Sequence, residues 1–212
     1  MTEGKTIFWD EDTQFDFMSP NGRLYVPTAE QIIDNVSSIR TFALQRGHSI
    51  IASTDWHRYE DEEISKNPDN VKTFPPHCMA GETGSQRVGE LGEIPISEVP
   101  VQKLDKEELK KLISAEQFHI VIRKRQLDVF SNPNIQILLE LIRPSKIIVF
   151  GVALDFCVYM TVNGLLERVD SDLVVLRDAV RGLGSKKDED VFNEFRQKGV
   201  EIKEIPELEK EL

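Results

Sequence analysis

Cysteine is scarce in this 212-residue chain: only Cys78 and Cys157 occur, far apart and in different motifs. That usage fits reduced thiols in a reducing compartment better than a disulfide scaffold, although one bridge between the two is compatible with the count. Positive charge is also in short supply, since Lys+Arg 26 against Asp+Glu 37 leaves a net charge of -11. Such a balance argues against nucleic acid or an anionic membrane as the main partner and turns the expectation to small molecules. No apolar run is long enough to span a bilayer, Met1-Thr-Glu-Gly-Lys5 shows no signal-peptide pattern, and no internal repeat is visible. A cytoplasmic protein is therefore expected. The length suits one α/β domain over residues 1–212 with a sizeable core.

What is present is a series of buried strand patterns alternating with helical ones. The most informative is Lys146-Ile-Ile-Val-Phe-Gly-Val-Ala-Leu-Asp-Phe-Cys-Val158, a β-branched and aromatic run that reaches a glycine turn and then a helix carrying Cys157. Further strands are expected over residues 6–9, 48–53, 118–122 and 173–176, with an alternating edge strand over 200–205. Helices are expected from Pro27-Thr28 to Gly47, with Thr28 and Gln31 as a capping box, over 106–114 behind Asp105 and Glu108, and from Ser131-Asn-Pro133 to Pro144. Two more run from Asp155 to about Arg168 and from Ser185 or Asp188 to Gly199. Residues 58–73 read as a surface loop, the stretch from Gly81 to Asp105 as a connector, and residues 207–212 as a frayed end. Six strands alternating with helices predict an α/β fold, a three-layer α/β/α sandwich around a mainly parallel six-stranded sheet.

Ligands bind at the carboxyl ends of such strands, and chemistry-bearing residues collect there. Asp10, Glu11 and Asp12 follow the first strand, and three carboxylates so close require a cation or solvent. Asp55-Trp-His57 follows the second; two residues apart on extended chain, Asp55 and His57 point the same way. Pro75-Pro-His-Cys78 adds His77 on a stiffened backbone. One Asp and two His suit a divalent transition metal with open positions, while each His alone reads equally as a loop residue. Arg123-Lys-Arg125 ends the third strand, where a cation would hold a thiolate and a carboxylate in place. Cys157 itself is either a nucleophile at a helix N-terminus or a buried small hydrophobe.

Taken together, these motifs resemble the nicotinamidase/pyrazinamidase branch of the isochorismatase-like cysteine hydrolases. The pattern D-x-Q-x-D-F stands as Asp12-Thr-Gln-Phe-Asp-Phe17, D-W-H as Asp55-Trp-His57, P-x-H-C as Pro75-Pro-His-Cys78, and G-V-A-x-D-x-C as Gly151-Val-Ala-Leu-Asp-Phe-Cys157. The resemblance implies Cys157 as nucleophile, Asp12 as general base and Lys124 as third member of a triad that hydrolyses an amide through a thioester. It implies an oxyanion site at the backbone N–H groups of Ala153 and Cys157, with a cis peptide before Ala153. It also implies one divalent transition metal ion (Zn, Fe or Mn) on Asp55, His57 and His77, with Glu63 as a candidate further ligand, and ring contacts from Phe17 and Phe74. For these two aromatics simple core packing is the other reading. Asp16 is read as structural. Leu154, Phe74 and Arg125 depart from the family pattern, and Arg125 is a candidate to meet an acid group on a substrate. The implied partner is a small-molecule amide, nicotinamide or a close heteroaromatic relative. An N-carbamoyl or ureido amide cleaved without metal and an inactive ligand-binding member are the alternatives. No nucleic acid or membrane partner is expected, and a homo-oligomer is left open.

Overall fold

Alternation along the first strand shows how the chain divides its core. Strand β1 (Lys5–Glu11) sends Ile7 and Trp9 to one face of the sheet and Phe8 to the other, all fully buried. Only a strand covered on both sides has this pattern. In the computed structural model, which describes residues 4–89 and 95–212, β1 lies at the centre of a seven-stranded sheet. The strands are β1, β2 (Ser49–Asp55), β3 (Ile96–Val99), β4 (His119–Lys124), β5 (Pro144–Val152), β6 (Asp172–Arg181) and β7 (Glu201–Lys203). Their order is β3-β4-β2-β1-β5-β6-β7, and every pairing is parallel.

Helices cover both faces. On the Trp9 face pack α3 (Lys106–Leu112), α4 (Ile135–Ile142), α5 (Cys157–Arg168) and α6 (Asp188–Gln197), through side chains such as Leu109, Leu138, Val162 and Phe195. On the Phe8 face pack α2 (Ile33–Gln45) and α7 (Ile205–Glu211), through Val36, Ile39, Ala43 and Leu208. A four-residue helix, α1 (Phe15–Met18), follows the first strand. Among the described residues no helix is long and apolar enough to cross a membrane.

The three-layer parallel architecture is the expected one, with seven strands in place of six. The added strand, β3, lies in the stretch read as a connector; Ile-Ser-Glu-Val is short, pairs on one side only and buries little beyond Val99, so it leaves no continuous apolar run to read. Residues 1–3 and 90–94, the latter within the expected connector, lie outside the described residues. The Asp105–Glu108 capping box forms, but the Thr28–Gln31 box does not: Thr28 adopts φ 63° and a short 3-10 turn precedes α2. Lys187, not Ser185 or Asp188, occupies the N-cap of α6. Residues 205–211 are helical, because Glu204 and Glu207 cap one another and Ile205 and Leu208 are buried.

Crossovers from β1 lead one way to β2 and the other way, later, to β5, so the sheet's reversal point lies beside β1. That is where an open parallel sheet leaves a crevice. Gly151 lets the crevice form: it pairs with Glu11, has φ +115°, and a Cβ there would stand 2.0 Å from Glu11 O. Gly151→Ala is expected to destabilise the fold by about 2 kcal/mol or more, read as a lower urea midpoint.

Candidate active site

Four adjacent strands, β4, β2, β1 and β5, place their carboxyl ends in one row. Register opposes Asp55 to Lys124 and Glu11 to both Ser53 and Gly151, so Asp12, Asp55, Lys124 and the turn leading to Cys157 converge. All four of these side chains are buried. Lys124 stands between the others: its Nζ lies 2.8 Å from Asp12 Oδ2, 2.5 Å from Asp55 Oδ1 and 3.8 Å from Cys157 Sγ. Ser53 Oγ donates to the other Asp12 oxygen at 3.0 Å. Gln14 fixes the end of β2 by donating to Asp55 O and accepting from Asp55 N–H.

Burial works against the Lys124 ammonium, but Asp12 and Asp55 more than offset it and hold its pKa well above the ordinary lysine value. Burial likewise pushes the Cys157 thiol up against the pull of Lys124, so the resting sulfur is protonated near neutral pH. Asp12 is raised to about 6, by burial first, with Lys124 opposing and Asp55 adding to the rise. A carboxylate with that value is ionised at neutral pH yet able to accept a proton.

Cys157 is the first residue of α5. Before it the chain turns sharply, through a cis Val152–Ala153 peptide, at the position the resemblance implied. Leu154 N–H donates to Arg181 O and Phe156 N–H to Ala153 O, whereas the N–H groups of Ala153 and Cys157 have no acceptor among the described hydrogen bonds. Two unspent donors beside a buried thiol are what an oxyanion site requires.

The long loop after β2 is folded back by two isolated bridges. His57 pairs with Met79, and Ile64 with Phe74, so His57 meets His77 and Glu63 is drawn inward. Ligand atoms of Asp55, His57, Glu63 and His77 all lie within 4.8 Å of one another. Asp55 Oδ2 is 3.4 Å from His77 Nε2 and 3.5 Å from His57 Nε2, and Glu63 Oε1 is 3.7 Å from His57 Nε2. Asp55 Oδ2, His57 Nε2 and Glu63 Oε1 are buried and make no hydrogen bond. Convergent, orphaned carboxylate and imidazole atoms fit a divalent transition ion. The outer contacts suit that fit, with His77 Nδ1 on Pro75 O at 2.8 Å and His57 Nδ1 3.5 Å from Asp61 Oδ2. The acidic run at 60–63 is therefore not wholly a solvated face: Glu63 is buried and the Asp61 carboxylate largely so.

A narrow apolar cavity opens onto Cys157 and is lined by Phe17, Phe74, Phe156 and His77 with Leu24, Leu127 and Leu183. Phe17 and Phe74 were legible from motif position. Phe156 and the three leucines carry no local signal and come together only through the fold. Arg125 is not among the lining residues; its Nη1 lies 3.5 Å from Asp61 Oδ1. Arg123 packs over Trp56 at 4.0 Å, leaving Lys124 alone of the basic triplet to point inward. Asp10, expected beside Asp12, faces the opposite way and pairs with Arg40 and Arg87. Asp16 is structural as read, accepting from Cys78 N–H at 2.7 Å and so anchoring the turn that carries His77. Cys78 and Cys157 are unbridged.

Comparison with known proteins finds relatives of the same fold. The nicotinamidase of Saccharomyces cerevisiae is 26% identical over 207 residues, covering 88% of this chain and 91% of that protein. The pyrazinamidase of Pyrococcus horikoshii, solved in complex with zinc, superposes with a TM-score of 0.74 at 23% identity, covering 95% of this chain and 99% of that one. The nicotinamidase/pyrazinamidase of Bacillus subtilis gives 0.73 at 20%, covering 94% and 100%. The isochorismatase domain model matches residues 10–206, and on that match the chain belongs to the isochorismatase family of hydrolases.

Proposed function

We propose that this hydrolase converts nicotinamide, or a close heteroaromatic amide, to the acid and ammonia. The observation that carries the reading is one apolar cavity with Cys157, backed by Lys124 and Asp12, on one wall and Asp55 and His77 of the metal-ligand group on another. The aromatic lining suits a flat ring, and the cavity has no arginine to receive an anionic substrate. The names of the relatives support the same substrate class. An N-carbamoyl or ureido amide cleaved without metal would leave the orphaned atoms of Asp55, His57 and Glu63 without a task.

In this reading Asp12 takes the Cys157 thiol proton and the sulfur attacks the amide carbon. The oxygen that becomes negative is met by the N–H groups of Ala153 and Cys157. Asp12 returns the proton to the amide nitrogen, the C–N bond breaks and ammonia leaves a thioester. Water, deprotonated by Asp12, then attacks the thioester; the C–S bond breaks and the thiol regains its proton. Lys124 stays charged throughout and keeps Asp12 anionic between steps. An ion on Asp55, His57, His77 and Glu63 would supply Lewis acidity and a docking point for a ring nitrogen.

Purified protein given nicotinamide is expected to release ammonia, with Cys157→Ala lowering the rate at least about 10³-fold and a chelator weakening it. No release from metal-loaded protein would overturn the substrate. Because Asp12 must be ionised to act, kcat/KM is expected to fall below about pH 6, tenfold per unit, as Asp12 takes up its proton; a profile flat to pH 5 would exclude Asp12 as the base. Elemental analysis is expected to find about one divalent ion per chain, and Glu63→Ala to weaken its retention at least about tenfold.

A further inference from the structure

Glu11 is fully buried beside the triad, and the chemistry above gives it no task. It ends β1 two residues after Trp9, so both side chains leave the same face of the sheet, toward α5. Its Oε2 accepts from Trp9 Nε1 at 2.8 Å and from Thr161 Oγ1 at 2.9 Å. Thr161 follows Cys157 by one helical turn, so this bond ties the strand end to the helix face that carries the nucleophile. Oε1 is buried and makes no hydrogen bond. Ligand atoms of Glu11, Asp12 and Cys157 lie within 4.8 Å of one another, and with Oε2 engaged by two donors, Oε1 is the oxygen left to serve that cluster.

The titratable groups facing Glu11 are Asp12 on its own strand, Lys124 from β4 and Cys157 from α5; β5 contributes only the backbone of Gly151. One ammonium therefore serves three carboxylates, and it contacts Asp12 and Asp55 directly. Buried carboxylates that share a site do not both ionise readily. Burial, followed by the charge on Asp12, lifts Glu11 well above the usual carboxylate range.

We propose that Glu11 is a positioning residue for the nucleophile: held by Trp9 and Thr161 through Oε2, it keeps a proton on Oε1 and donates it as a hydrogen bond to Asp12 or Cys157, whichever carries the negative charge. The donor would steady the thiolate as it forms and Asp12 at rest, and it adds no net charge to a cluster already rich in anions. Its consequence for turnover rests on the amidase reading; its effect on the thiol does not.

The test is the pH dependence of Cys157 alkylation by iodoacetamide in the protein as isolated, with modified peptides mapped to separate Cys157 from Cys78. Glu11→Gln keeps an acceptor for Trp9 and Thr161 and an N–H donor for the cluster, so its alkylation midpoint is expected within about 0.3 pH units of the parent. Glu11→Met fills similar space without a donor, and is expected to move the midpoint up by about one unit and slow alkylation at pH 7 about tenfold. A Glu11→Met profile equal to the parent would overturn the proposal, as would a Glu11→Gln midpoint lowered by a unit or more, the mark of an ionised Glu11. Should Glu11→Met fail to fold, the Glu11→Gln profile decides alone. Nicotinamide turnover is measured beside it: absent turnover with the expected alkylation shifts would overturn the amidase reading and leave Glu11 in its role.

Discussion

A buried ammonium holds this molecule's chemistry together. Removing a lysine from water costs several kcal/mol, and Lys124 is tolerated at zero exposure because Asp12 and Asp55 meet it from either side. The dependence runs both ways. Without Lys124 the strand ends would present buried carboxylates to one another with no compensating charge. Asp55 is the hinge of this balance, since one of its oxygens lies against Lys124 and the other faces His57 and His77. Asp55 thus joins the Cys157, Asp12 and Lys124 cluster to the metal-ligand group, and a change of charge in one is felt in the other.

The sheet makes this convergence possible at little conformational cost. Parallel strands end together, and the order β4-β2-β1-β5 puts four such ends side by side at the point where the crossovers diverge. Rigid, doubly buried strands hold Asp55 and Lys124 and end beside Asp12. The aromatic and aliphatic walls come from less regular segments around α1, residues 74–77 and the turn into α5. Placement of the Lys124–Asp55 pair, which tolerates little error, is assigned to the strands, and the shape of the cavity to the turns.

How much of this was readable without coordinates follows from the same physics. Strands buried on both faces leave continuous apolar runs, so β1, β2, β4, β5 and β6 were visible; β3, an edge strand half exposed and four residues long, left none. Asp12, Asp55, His57, His77, Lys124 and Cys157 stand at strand ends or in short motifs, where position along the chain predicts position in space. Glu63 lies in an acidic run that composition alone assigns to solvent, and what turns it inward is a single bridge between Ile64 and Phe74. Arg125 shows the opposite failure: its neighbour in sequence points into the site, but Arg125 lies just past the end of β4 and reaches Asp61 instead. Glu11 was legible only as one of three crowded carboxylates, and separating their fates required knowing that Asp10 meets two arginines on the far face.

That separation bears on selectivity. The cations of the basic triplet are all engaged, Lys124 by Asp12 and Asp55, Arg125 by Asp61, Arg123 by Trp56 and Glu98. An anionic substrate entering the cavity would give up its hydration for largely apolar walls that hold no arginine or lysine to pair with it. A neutral amide meets no such penalty. For the proposed reaction the asymmetry also acts after the chemistry, because hydrolysis turns a neutral guest into a carboxylate. In that proposal the same walls that admit the amide would hold its acid less well, so selectivity for uncharged substrates and release of the product would rest on one arrangement of charge.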